Sequence, residues 1–478
     1  MRICRVQTIA LLLLTCGSVA CMTDVSSEEN VPEVSETAGE LLKISSASLW
    51  TMRDIHVCFH SETVARSDYA QFSQDARTWI EETYGRILNL RFVGWDPCPS
   101  TLTNSISIRI YTPAPGHGSG AQTIAEGSGA NANRRISIGE SYWAGRREAL
   151  VHEFAHALDF EHEWDRANSD GVCEPGGSHS TAETFGTPYD PGSITNSTYC
   201  GAWTNLSAWD VVGMRRAYGR KPRGAIVGPR NKCLDVDNPT SGNPPATPTQ
   251  VWDCLGNQNQ TWTIEHDWHR LTTTWARGAL DVQWGNSSDG TPTWNWDRNT
   301  SPAQQWTFSA VEVRGMGDLC LDVPNGNFVA GQTVQLWDCV GNNNQQWNVQ
   351  LLADGRISLQ ATNAPGLCVA VNSGVSLQSC GSTGTSLSYG DGQMWNGRTR
   401  CADVSAANPV NGTQIVSYNC RATGDYYRQA QEWTFRGPIR GLAGKCLDVD
   451  SSGGVRASSK TRIMTCNGSE QQTWEYYF

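Results

Sequence analysis

CLDVDNPTSGNPPATPTQVWDCLGNQNQTW, Cys233 to Trp262, opens on an alternating apolar strand and closes on a Gln-x-Trp triplet. The pattern returns along the rest of the chain. Trp262, Trp306, Trp347, Trp395, Trp433 and Trp474 each end such a triplet, at spacings of 44, 41, 48, 38 and 41 residues. Each unit starts with a CLDV-like strand: Cys233, Ala279, Cys320, Cys368, Cys401 and Cys446 head them. A period of this length means stacked supersecondary units, none of which buries its apolar face alone.

This tail resembles the ricin B-type lectin family and its QxW motif. In that family three units close one β-trefoil, so six imply two all-β domains, 225–350 and 351–478. The resemblance also implies a sugar site in each complete unit: the Asp of CLDV, an aromatic two residues before the second Cys, and the Asn before the QxW Gln. A carboxylate accepts hydroxyl hydrogen bonds, a ring packs on a pyranose C–H face, and an amide adds a further partner. Unit one carries Asp235, Trp252 and Asn259; unit three carries Asp322, Trp337 and Asn344. Unit two keeps Asp281 and Trp296 but has Ala303 for the Asn, and unit five keeps Asp403 and Tyr418 but has Ala430. Unit six sets Met464 at the aromatic place, and unit four, with Ala370 and Gln378, is expected to be inert.

Upstream lies HEFAHALDFEHE, His152 to Glu163. His152 and His156 are i and i+4 and share one face of a helix. A catalytic zinc takes three protein ligands and keeps a fourth position open, and His162 supplies the third imidazole beyond the helix end. Glu153 stands beside the first ligand as a general base for a metal-bound water. Three of the nine histidines fall within these eleven positions.

The segment resembles the metzincin metallopeptidases, HExxHxxGxxH, and Glu163 resembles the astacin-like branch. The resemblance implies an α+β zinc peptidase domain over 48–220, Zn2+ as cofactor, and a protein or glycoprotein substrate. Two positions depart from the family. Asp159 stands where Gly turns the chain, a left-handed conformation that Asp tolerates at modest strain. In PYDPGSITNSTYC, Pro188 to Cys200, Thr195 occupies the Met of the turn beneath the metal, which is expected to loosen the floor of the site. Tyr199 resembles the turn tyrosine that assists the oxyanion in astacin-like enzymes. Around the motif, DIHVCFH (from Asp54), SISIRIY (from Ser105) and RRISI (from Arg134) alternate as half-buried strands do. Phe72, Ala76, Trp79, Ile80 and Thr83 recur at helical spacing, and LSAWDVVGMRRAYG reads as a last helix ending at Gly219. The Gly-rich stretch from Gly116 reads as a flexible loop beside the cleft.

Cysteine usage sets the compartment. In the tail Cys233 pairs with Cys254, Cys320 with Cys339, Cys368 with Cys380, Cys401 with Cys420 and Cys446 with Cys466; upstream the reading pairs Cys58 with Cys98 and Cys173 with Cys200. Fourteen thiols in even, local pairs point to an oxidising, extracytoplasmic location. Residues 1–21 have the basic start, apolar run and small residues of an export signal. Cys21 after Ser-Val-Ala resembles a lipoprotein site, so secretion and lipid anchoring at a bacterial surface both stay open. Residues 22–47 are acidic and polar, a flexible tether or short pro-segment. A net charge of −11 without basic runs argues against nucleic acid, and against membrane contact except through that anchor.

The chain therefore reads as multidomain, an α+β metzincin-like zinc metalloendopeptidase followed by two β-trefoils that hold it on carbohydrate. The alternative is a carbohydrate-binding protein whose protease-like domain is inactive.

Overall fold

The computed structural model describes residues 43–44, 49–112, 120–126, 128–140, 145–165, 183–184, 187–196, 205–237, 246–273, 278–397 and 399–477. Residues 1–42, with Cys21, lie outside these residues, as do Tyr199, Cys173 and Cys200; Lys43–Ile44, within the stretch read as a flexible tether, pairs antiparallel with Glu183–Thr184, which corrects that reading for these two residues.

The N-terminal part is a five-stranded sheet with helices. β1 (Asp54–Phe59) pairs in parallel with β2 (Arg91–Pro97) and β3 (Ser105–Tyr111), and β3 pairs in parallel with β5 (Asn133–Gly139). β4 (Ala121–Glu126) runs antiparallel along the edge beside β5. Three of these strands stand where alternation placed them; β2 and β4 do not come from that reading. β4 falls inside the stretch read as a flexible loop, and its pairing with β5 corrects that reading for residues 121–126. Helices α1 (Tyr69–Ile80), α2 (Arg146–Ala157) and α3 (Ala208–Tyr218) contribute Phe72, Ile80, Leu150, Phe154 and Met214 to a core shared with Ile55, Ile106 and Ile136.

In the tail, five of the Gln-x-Trp tryptophans (Trp262, Trp306, Trp347, Trp433 and Trp474) are fully buried. Each indole N–H donates to the carbonyl of the second residue in its own CLDV-like strand: Leu234, Leu280, Leu321, Ala402 and Leu447, at 2.8–3.1 Å. Burying so large an aromatic requires that its one polar atom be satisfied, and the repeat does this locally.

Trp395 is the exception. It pairs with Cys401 as Val227 pairs with Cys233 and Arg440 with Cys446, so it lies on the first strand of unit five. Unit four closes instead on Thr385-Ser386-Leu387. Thr385 Oγ1 accepts from Gly381 N at 3.1 Å, as Gln345 Oε1 accepts from Val340 N at 2.9 Å, and Leu387 is buried in place of Trp. The triplet at Gln393 is thus not a repeat end, which explains the uneven spacings of 48 and 38 in the sequence.

The two trefoils are not consecutive, as the division at 350/351 expected. The last strand of unit two pairs with the first of unit six (Phe308 with Ile439), and the last strand of unit six returns to unit one (Tyr476 with Ile226). The Oγ1 atoms of Thr249, Thr293 and Thr461, one from each of units one, two and six, lie 2.7 Å apart pairwise around a common axis. The first trefoil therefore consists of units one, two and six. Units three to five form the second, closed by Val313 against Phe435 and inserted between units two and six. Glycines mark the closures: a Cβ on Gly441 would meet Trp306 at 2.5 Å, one on Gly228 would meet Trp474 at 2.6 Å, and one on Gly315 would meet Trp433 at 2.6 Å.

A buried ion cluster joins the three parts. Arg86, just after α1, bonds Asp318 of the second trefoil at 2.6 Å and Glu475 of the first at 3.3 Å, and Arg314 adds a further bond to Asp318 at 2.6 Å. The Arg86 and Arg314 guanidiniums hold the Asp318 carboxyl well below the usual range despite its burial.

Candidate metal centre and carbohydrate sites

α2 carries His152, Glu153 and His156 on its last turns, and its C-terminal carbonyls are capped from outside the helix. Trp50 Nε1 donates to Ala157 O at 2.8 Å and the Tyr218 hydroxyl to Leu158 O at 2.7 Å. The chain then reverses at Asp159, whose φ of 74° is the left-handed conformation expected there. Arg134 donates to Asp159 Oδ1 at 3.3 Å, a partner for the side chain that replaces glycine.

That reversal brings His162 to the helix. His156 Nε2 lies 3.1 Å from His152 Nε2 and 3.0 Å from His162 Nε2. The Nδ1–H groups of His152 and His156 are committed elsewhere, to Ile194 O at 2.7 Å and Phe160 O at 2.5 Å. With Nδ1 protonated, the Nε2 lone pairs of these two rings face each other, an arrangement that repels unless a cation sits among them. Burial, with the neighbouring imidazoles, pushes the His152 pKa down to about 3 and the His162 pKa to about 2, so the rings stay neutral. Nitrogens on one tetrahedral zinc at ordinary bond lengths lie about 3.3 Å apart, and this donor set suits that ion.

Glu153 is buried beside the cluster, and burial raises its carboxyl to about 7. Thr123 on the edge strand β4 donates to Glu153 Oε2 at 2.8 Å. Thr123 escaped the sequence reading because nothing in a Gly-rich stretch marks a strand that passes the Glu153 carboxylate.

The floor is the turn Ser193–Asn196. Thr195, the residue expected to loosen this turn, is fully buried and hydrogen-bonded within it. Ser193 Oγ lies 3.0 Å from Thr195 Oγ1 and donates to Asp210 at 2.6 Å, and Ile194 N donates to Asp210 at 2.7 Å. Asp210 belongs to the capping box of α3 with Ser207, so the helix start and the floor form one polar network. Thr195→Met is accordingly expected to lower stability by about 1–3 kcal/mol, by overpacking and by loss of the hydroxyl contact, in thermal or urea unfolding.

In the tail, Asp235 accepts from Gln250 at 3.0 Å, Asn259 at 2.9 Å and Gln260 at 2.9 Å. Asp322 accepts from Gln335, Asn344 and Gln345 at 2.9, 2.8 and 3.2 Å. Trp252 and Trp337 stand beside them, 37% and 40% exposed. The structure brings both triads together and adds Gln250 and Gln335, which the sequence reading missed; each lies two residues before its Trp. Elsewhere the carboxylate is taken by the chain itself. Arg462 donates to Asp448 at 2.9 Å and Arg421 to Asp403 at 3.4 Å.

Six disulfides join the described cysteines: the five tail pairs as read, and Cys58–Cys98. They are those of an extracytoplasmic protein. No helix among the described residues is long and apolar enough to cross a membrane.

Repeats of this form define a β-trefoil lectin class. Residues 222–314 and 309–399 match the family described as the ricin-type beta-trefoil lectin domain, so the C-terminal region carries domains of that type. Among solved structures the chain is similar to the agglutinin from Abrus precatorius, with 17% identity over 45% of this chain and 95% of that one and a TM-score of 0.20. It is also similar to a non-toxic homologue of type II RIPs from Momordica charantia (18%, covering 45% and 98%, TM-score 0.22) and to the earthworm R-type lectin C-half in complex with GalNAc (14%, covering 27% and 96%, TM-score 0.21). None of these likenesses carries an assignment of function. A search of curated proteins finds none that matches this chain.

Proposed function

We propose that this protein is an extracytoplasmic zinc endopeptidase held on glycans by its trefoils. The observation that carries the reading is the convergence of three neutral imidazole nitrogens at 3.0–3.1 Å beside a buried carboxylate. His152, His156 and His162 would hold the ion. Zinc, when bound, supplies Lewis acidity to a scissile carbonyl and to water. Glu153 would accept a proton from the attacking water and return it to the leaving amine, and Thr123 orients its carboxylate. The experiment is digestion of casein by the intact chain, with chelator abolishing cleavage and zinc restoring it. A metal-loaded protein that leaves casein and a peptide library uncut would favour the lectin with an inactive domain.

For the tail, the two complete amide–carboxylate–indole sites support sugar binding by units one and three. Burial raises Asp235 to about 6, so its acceptor form is lost as pH falls through that value. In a Trp337→Ala variant, which leaves unit one alone, retention on a glycan array is expected to weaken from pH 7 to pH 5. The further change Trp252→Ala should remove most of the remaining retention at pH 7, because it takes away the second of the two complete sites.

A further inference from the structure

Unit two keeps the carboxylate of its siblings and replaces the groups around it. In register, the residue facing the CLDV-like Asp on the neighbouring strand is Gln250 in unit one, Gln335 in unit three and Arg462 in unit six; in unit two it is Trp294. Trp294 Nε1 donates to Asp281 Oδ1 at 2.7 Å, and Gln304 Nε2 donates to Oδ2 at 2.9 Å. Where units one and three place a further amide on the second oxygen, unit two has Ala303. Two amides suited to fixing sugar hydroxyls have thus been exchanged for an indole and a methyl group, while the negative charge stays.

A third indole completes the wall. Trp284 is 78% exposed in the turn after the Asp281 strand, at a φ of 57°. A bulky side chain at a left-handed position costs strain, and burial here returns little of it; the corresponding turns of units three and five hold Asn325 and Ala406 at φ of 55° and 54°. Its ring centroid lies 4.9 Å from Trp294 at 71° and 6.2 Å from Trp296 at 58°, while Trp294 and Trp296 stack at 4.6 Å. The three rings and Asp281 line a cavity of about 410 Å³, open to solvent.

The sibling units indicate what such a carboxylate takes, beside the glutamine of its Gln-x-Trp triplet, when no amide faces it across the strands. In units five and six it binds a guanidinium of the chain itself, Arg421 or Arg462. In unit two the place of Arg462 is filled by an indole, whose π-face also attracts cations. Burial raises the Asp281 carboxyl, a cost that a cation in the cavity would offset.

We propose that unit two binds a small organic cation, an N-methylated ammonium group, between Trp284, Trp296 and the Asp281 carboxylate, and is not a third sugar site. The inference stands apart from sugar binding by units one and three and from the metal centre. The test is a saturation-transfer NMR titration of choline against the intact chain, with its neutral carbon isostere 3,3-dimethylbutan-1-ol as the control. Choline is expected to bind saturably and the isostere roughly tenfold more weakly or worse, the ratio a desolvated cation–π and charge contact gives. Trp284→Ala, which leaves the core untouched, and Asp281→Asn should each weaken choline by several-fold while glycan retention through units one and three is unchanged. Equal binding of choline and its isostere, loss of no affinity in Trp284→Ala, absence of choline binding, or displacement of choline by neutral sugars would each overturn the proposal.

Discussion

Glu153→Ala is expected to lower peptide turnover by about 10²–10⁴-fold while the three imidazoles keep their metal, because a positioned general base contributes about that much. Glu153 is buried and its carboxylate accepts from Thr123, so the substitution removes the proposed proton acceptor and leaves the three imidazoles in place. Turnover measured on a small unglycosylated peptide isolates the effect from the tail. Thr123→Val should show a smaller loss, since it leaves the carboxylate in place but unoriented. Full activity in Glu153→Ala would refute the assigned role.

The second large effect concerns the order of the repeats. Removing residues 438–478 takes away the third unit of the first trefoil, with Trp474 and the Thr461 member of its axis. A buried Trp alone is worth about 3–5 kcal/mol when truncated, against a total domain stability of about 5–15 kcal/mol. Units one and two should then lose their fold and become open to proteolysis, although they lie more than 100 residues upstream of the cut. Units three to five form a closed set within 309–437 and should resist the protease longer. Consecutive trefoils would give the reverse pattern, with units one to three intact. The milder Trp474→Ala should destabilise the first trefoil by about 3–5 kcal/mol in urea unfolding.

Much of this was legible in the sequence, and the gaps have physical reasons. The spacing of His152, His156 and His162 is local, so helix periodicity and one tight turn suffice to place all three rings, and Asp159 takes the left-handed turn that the reading asked of it. The tail period showed units but not which three close on each other. That choice rests on strand pairs such as Phe308 with Ile439, made between units of nearly identical pattern and separated by an inserted domain. The Gln-Met-Trp at 393–395 misled because a first strand happens to copy the triplet, whereas the true end of unit four carries Leu387. Gln250 and Gln335 were missed because an amide two residues before a Trp is unremarkable until pairing across strands sets it on the Asp. β4 was missed because its six residues sit between glycine-rich flanks and present mostly exposed side chains.

Zinc content tests most directly whether His152, His156 and His162 form a metal centre. Mass-spectrometric metal analysis of the purified chain after dialysis should find one zinc per molecule, and none in His156→Ala. A metal-free protein that takes up no zinc on titration, or zinc retained in full by the His156→Ala variant, would contradict the account.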